Sequence, residues 1–278
     1  VTRRPHFVYR RQQRPSDSRY LTQTQRFAKD TTTARVPRSM CPGHPQHVIQ
    51  RGNNRQAILR DEDDSWCLWS KLRDAATKFH CDIHAYVLMP NHFHLILTPW
   101  QDDGIGKLMQ YTGRYYVQHV NARYERTGTL WEGRYRATLF DPDAYLLCLS
   151  RYVENNAVRA ALVKTPADYD WSSYPANALG VEDELVTPHP VYEALGDTAK
   201  TRREAYRDGF EDPLDDGLLK RIRDSTNKAW LLGDTAFCSR IEDKLNRRAL
   251  PRARGGDRRS EAYRRAAAQT GGGRADAG

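Results

Sequence analysis

The run His92-Phe93-His94 constrains this chain more than any other short segment, because it fixes a local conformation together with a pair of ligand-type side chains. Short apolar runs lie on either side, residues 83–88 and 93–97, parted by Met89-Pro90-Asn91, a turn signal. Both runs therefore read as strands. Side chains alternate faces along an extended chain, so the two imidazoles point one way, roughly 7 Å apart, and Phe93 points the other, toward covering helices. Two imidazoles so placed can reach one divalent ion if their rings tilt together. Taken alone, such a pair is more often a half-buried sheet face that carries neutral histidines.

A second segment supplies a nucleophile. Asp141-Pro142-Asp143 opens a helix, with Asp141 as N-cap and Pro142 at the first helical position. The periodicity predicts that this helix runs from Ala144 to Val163, with Leu146, Leu149 and Val153 on its apolar stripe. Tyr152 falls at the margin of that stripe, and Asn156 follows one turn later. The chain has 15 tyrosines, so position alone selects none, and Tyr111, Tyr115 and Tyr116 are rivals on an earlier helix.

Four segments in unbroken order, Gln46 to Arg55, Met89 to His94, Gly128 to Tyr135 and Arg151 to Arg159, make residues 43 to 180 resemble the REP-associated tyrosine transposases, a branch of the single-tyrosine HUH transposases. The resemblance implies that His92 and His94 bind a divalent metal, that Asn156 completes its shell and that Tyr152 is the catalytic nucleophile. It implies single-stranded DNA cleavage and strand transfer on REP-like hairpins, through a 5′-phosphotyrosine with release of a 3′-hydroxyl. A phenol of ordinary pKa near ~10 needs activation for such a step, and His and Asn ligands suit Mg²⁺ or Mn²⁺. Monomers and homodimers both occur among such proteins. One departure stands out: the family's Asn-Pro is here Asn156-Ala157, which lets the helix continue more easily.

Charge agrees with a polyanionic partner: the formal net charge is +9 and the pI about 9.4. Within the central region, arginines and aromatics interleave at Arg114-Tyr115-Tyr116, Arg123-Tyr124 and Trp131 to Arg136, a combination suited to single-stranded or hairpin DNA. The candidate DNA contacts are Arg51, Asn53, Asn54, Arg55, Arg114, Trp131, Arg134 and Arg136.

The element order predicted is β-α-β-β-α-β: a strand at residues 47–51, a helix at 63–79 burying Trp66, Trp69, Leu72, Ala76 and Phe79, the two strands around Pro90, a helix at 105–121 burying Leu108, Met109, Tyr116 and Val120, and a strand at 130–140. That is an α+β, ferredoxin-like antiparallel sheet with helices on one face, the HUH endonuclease fold, whose other face is expected to receive DNA. Three or four short helices are expected over 185–248, as a DNA-contacting module or a buttress.

The domain limits expected are 1–40, a basic extension that is disordered or non-native (translation starting near Met40), 41–180 for the transposase-like domain, 181–250 for the helical extension and 251–278 for a basic Arg/Gly-rich disordered tail. No apolar run reaches the roughly 20 residues of a membrane helix. The five cysteines are odd in number and lack C-x-x-C spacing, so they read as reduced thiols of a cytoplasmic protein. Two other functions fit the same residues: a metal-dependent phosphodiesterase without a covalent intermediate, and a hairpin-DNA-binding protein with a vestigial site.

Overall fold

The computed structural model describes residues 41–228 and 230–245. The extension at 1–40, with the expected start near Met40, and the tail at 251–278 lie outside the described residues.

Four strands form one antiparallel sheet in the order β2-β3-β1-β4, with β1 Gln46–Arg51, β2 Cys81–Met89, β3 His92–Pro99 and β4 Arg136–Leu139. Helix α1, Glu62–Lys78, joins β1 to β2, and α2, Gly104–Arg123, joins β3 to β4. The expected β-α-β-β-α-β order and α+β class are therefore present. Both helices lie on one face, where Val48, Leu88, Phe93, Leu95 and Leu97 pack against Leu68, Leu72, Leu108 and Tyr116. Asp61 caps α1 by accepting from the Asp64 amide, which satisfies one of the free N–H groups of the first turn.

Period two sends the alternate residues to the opposite face. There Ala85, Val87, Met89 and Ile96 meet α3, Pro142–Glu154, through Leu146, Leu149 and Val153, and meet α7, Asp216–Lys228, through Ile222. This second face is thus covered by helices, whereas an open face was expected. Its helices come from after β4, and α7 belongs to a region in which α4 (Asn156–Arg159), α5 (Pro190–Glu193), α6 (Ala199–Asp208) and α8 (Thr235–Leu245) complete the described elements.

Three local expectations are corrected. Trp66 is exposed, at 39 %, with its ring edge-on to Trp69 and Trp171, because Asp64, Ser65 and Leu68 take the buried face of α1. The strand expected over 130–140 shortens to β4, since Gly133 at φ 68 turns the backbone out of the ladder. The tyrosine helix ends at Glu154 without any proline: the Asn156 side-chain amide donates to the carbonyls of Tyr152 and Val153, both at 3.1 Å, and so takes acceptors a continuing helix would use. The N-terminal expectation holds, with Asp141 accepting from the Asp143 amide and Pro142 at the start of α3.

Candidate catalytic centre

His92 and His94 stand on the helix-α3 face of β3, paired across the sheet with Arg51 and Ile49 of β1. Their ring centres are 5.0 Å apart, closer than the strand rise alone gives, because the rings tilt toward one another at 72°. Phe93 between them is fully buried on the other face, as alternation requires. Helix α3 lowers Tyr152 onto this pair: its ring centre lies 6.0 Å from that of His94, and its side chain is 7 % exposed. The sheet and one following helix thus bring together three residues that lie sixty positions apart in sequence.

A third imidazole, His47 of β1, completes the cluster and was not singled out from the sequence. It stacks on His94 at 5.1 Å and meets the Tyr152 ring edge-on at 5.9 Å. The hydrogen bonds fix how its protons are placed. Thr226 of α7 donates its only hydroxyl proton to the Ile222 carbonyl at 2.8 Å, so toward His47 Nδ1, at 3.2 Å, it accepts. His47 therefore carries its proton on Nδ1, and its bare Nε2 accepts from His94 Nδ1 at 2.8 Å. His94 is left with Nε2 unprotonated, its lone pair free to meet an electrophile. This is the tautomer that metal-ligating histidines hold by donating through the other ring nitrogen.

Burial also keeps these rings neutral. It lowers His47 to about 3 and His92 to about 4, with Arg51 adding to the drop at His92. His94 falls well below the ordinary imidazole value, through burial first and then through His47, His92, Arg159 and Arg51. At neutral pH the cluster offers lone pairs rather than positive charge. The positive charge comes from arginines instead. Arg159, from the end of α4, lays its guanidinium 4.3 Å from the Tyr152 ring centre and donates to the Tyr152 carbonyl at 2.6 Å. Arg51 approaches from β1, half-buried beside His92, its guanidinium lowered by burial and then by Arg55 and Arg136.

Asn156 directs its amide nitrogen back onto the helix, which leaves Oδ1 as the atom it can offer a ligand. Among the described residues no group of three or more His, Cys, Asp or Glu side chains could hold a metal ion. Two neutral imidazoles with one amide oxygen nevertheless suit, by donor chemistry, a divalent ion that keeps open positions for water and substrate.

Helix α3 is itself held by a buried carboxylate that sequence reasoning missed. Glu154, two residues beyond Tyr152, has no exposure and accepts from Ser173, Asn177 (3.0 Å) and Tyr206 (2.8 Å). Burial pushes it up to about 7, against the lowering effect of those three donors.

The remaining predicted residues separate into three places. Asn53, Asn54 and Arg55 form a turn at the end of β1, with Asn54 and Arg55 left-handed at φ 51 and 59. Arg136 lies on the histidine side of β4 and donates to Asn227 of α7. Arg114, Trp131 and Arg134 sit on the α2 side of the sheet, away from Tyr152. Because Arg51 and His92 keep part of their surface while His94 and His47 are enclosed, the centre is entered from the end of the sheet where the Asn53–Arg55 turn lies.

Comparison with known proteins bears on this centre. Residues 43–156 match the family described as Transposase IS200 like, a span that includes His92, His94, Tyr152 and Asn156. Among solved structures, the chain is similar to a REP-associated tyrosine transposase bound to a REP hairpin, at 17 % identity and a TM-score of 0.47, over 56 % of this chain and 92 % of the other. A second similar structure is described as a transposase from Deinococcus radiodurans R1, at 24 % identity and a TM-score of 0.31, covering 44 % of this chain and 97 % of that one. No curated protein sequence matches the chain. No helix among the described residues is long and apolar enough to cross a membrane.

Proposed function

We propose that this chain, whose residues 43–156 match the IS200-like transposase family, cleaves and rejoins single-stranded DNA at REP-like hairpins, with Tyr152 as the nucleophile. The observation that carries this reading is the convergence of Tyr152 with the neutral pair His92 and His94 under two arginines. A phosphodiester is anionic and its reaction adds charge at the phosphoryl oxygens. Arg159 over the Tyr152 ring and Arg51 beside His92 can meet that charge. Arg159 also pins the Tyr152 ring and carbonyl, which fixes the direction from which the phenolic oxygen meets phosphorus.

In the proposed step the Tyr152 oxygen forms a bond to phosphorus while the bond from phosphorus to the 3′ oxygen breaks. The phenolic proton is given up to water and the leaving 3′ oxygen takes one up. The products are a 5′-phosphotyrosine and a free 3′-hydroxyl, and attack by another 3′-hydroxyl reverses the step. Because the ester keeps the bond energy, no nucleotide cofactor is consumed. His92, His94 and the Asn156 oxygen would hold Mg²⁺ or Mn²⁺, which as a Lewis acid would polarise the scissile phosphate. His47 and Thr226 serve that set by keeping the His94 lone pair bare.

The test is a denaturing gel of end-labelled hairpin DNA with the full chain and Mg²⁺ or Mn²⁺. A covalent protein–DNA band is expected that is lost, by roughly 10³-fold or more, in Tyr152→Phe. Cleavage that survives Tyr152→Phe would instead mark a phosphodiesterase using water. Hairpin binding that never yields an adduct, with or without metal, would mark a binding protein with a vestigial site.

A further inference from the structure

On the face of the sheet opposite Tyr152, between α2 and the loop that carries Trp131 to Tyr135, lies an open cavity of about 410 Å³. That volume falls within the roughly 300–1,000 Å³ of small-ligand pockets. Its floor is Gln50 and Phe93, which alternate along their strands with Arg51, His92 and His94. The floor of the cavity and the catalytic centre are thus two sides of the same pair of strands.

The walls explain why the space exists. Helix α2 presents Gly106 and Gly113, seven residues apart and so on one stripe, with Met109 and Gln110 between them. Glycine weakens a helix interior relative to alanine, and here two occur where side chains would fill the cavity. At Gly113 the missing side chain lets the Trp131 indole lie against the helix, since a Cβ there would stand 3.3 Å from the indole nitrogen. The indole is set edge-on to Phe93 at 5.9 Å and tilted against Tyr116 at 6.0 Å. Gln50 donates to the Gly133 carbonyl at 3.2 Å, which ties the loop down over the floor.

The lining has aromatic and amide side chains, together with Met109 and Thr112 and an exposed arginine, Arg134, and includes no carboxylate. It suits a flat, hydrogen-bonding ring attached to an anion. Arg55 and the Asn53–Arg55 turn lie at the same end of the sheet, where β1 leads out of the floor and where the catalytic centre opens. A single strand entering that centre can pass round this end and reach the other face. We propose that the cavity receives one unstacked nucleobase of the bound DNA strand, with Trp131 as its aromatic wall, the Gln50 and Gln110 amides facing its edge and Arg134 on its phosphate. This rests on the DNA-processing reading above and adds to it a specificity pocket on the far side of the sheet.

Gly106 offers a clean test, because a Cβ there would meet only the Tyr135 hydroxyl, at 3.9 Å. Gly106→Leu would fill the cavity while favouring the helix, and Gly106→Ala gives a milder filling that keeps the fold. The full chain is first titrated, in EDTA so that no cleavage intervenes, with hairpins whose unpaired flanks are randomised. The tightest binder is then remade with each unpaired nucleotide replaced in turn by an abasic site. One position is expected at which base removal weakens binding about tenfold in the wild type, as loss of a stacked base does, but hardly at all in Gly106→Leu, with Gly106→Ala between. A 2-aminopurine at that position should be quenched by the wild type and not by Gly106→Leu. A flat abasic scan, or a penalty equal in wild type and Gly106→Leu, overturns the pocket while leaving Tyr152 chemistry intact. Failure to bind any hairpin overturns the pocket and the proposed function together.

Discussion

The two faces of the sheet use the same strands for different ends. On the α1/α2 side, Val48, Phe93, Leu95 and Leu97 are fully buried among apolar partners. On the α3/α7 side, the intervening positions of those strands carry His47, His92, His94 and Arg51, set among Ala85, Val87 and Ile96. The first face stabilises the fold by burying apolar surface. The second buries polar groups at a cost that is met by the hydrogen bonds they find in one another, in Thr226 and in Asn91. Alternation with period two lets adjacent residues, Phe93 and His94, carry these separate loads.

Paired truncations give the largest expected difference. Phe93→Ala should cost about 3–5 kcal/mol of unfolding free energy, the usual loss for a buried phenylalanine, read from denaturant melts. His94→Ala should cost less, about 1–3 kcal/mol, chiefly because His47 Nε2 loses its donor, yet should abolish adduct formation. Equal destabilisation by both would show that the histidine face also carries the fold.

Acid should separate the faces next. His47 and His84 are buried and held neutral, with values lowered to about 3 and about 4 by burial. The unfolded chain, with imidazoles near ~6.5, therefore binds protons that the folded chain refuses. Their contribution is complete above the unfolded value and falls as pH drops toward 4, by about 1.4 kcal/mol per unit for each ring. Glu154 works in the opposite sense. Raised to about 7, it binds its proton in the folded state first, so its contribution is present below its ordinary value of 4.5 and lost as pH rises toward 7. Glu154→Gln should thus steepen the acid-side loss between pH 4.5 and 6.5 by about 1.4 kcal/mol per unit. An unchanged slope in urea melts across that window would mean that Glu154 is ionised like an exposed carboxylate.

What could be seen in the sequence follows the same division. The strands around Pro90, the buried stripe of α2 and the Asp141–Pro142 helix start are local patterns, and each appears where periodicity and capping put it. His92, His94 and Tyr152 were legible because a strand period and four ordered motifs point at them. His47 lay inside one of those motifs without being distinguished, since only the β1–β3 register brings it to His94. Arg159 and Glu154 depend likewise on how α4 folds back and on what packs over α3. Thr226 sits 179 residues from His47, with no local signal linking them. Even the end of the tyrosine helix escaped periodicity, because a side-chain amide rather than a proline stops it.

The smallest expected effect is the most discriminating. Thr226→Val keeps the shape of α7 and removes the acceptor of the His47 Nδ1 proton. His47 then gains by moving its proton to Nε2 and donating to His94 Nδ1, which sends the His94 proton to Nε2 and closes the lone pair that the proposed metal would use. The fold should persist, while adduct formation falls about tenfold, at the lower end of what loss of such an outer partner costs. Thr226→Ser, which keeps the hydroxyl, should restore it. Imidazole nitrogen shifts read the tautomers directly, with no metal or DNA present. His94 should change from the Nδ1-protonated to the Nε2-protonated form in Thr226→Val alone. An unchanged His94 signal with reduced activity would assign Thr226 to packing of α7 and remove it from the proton chain.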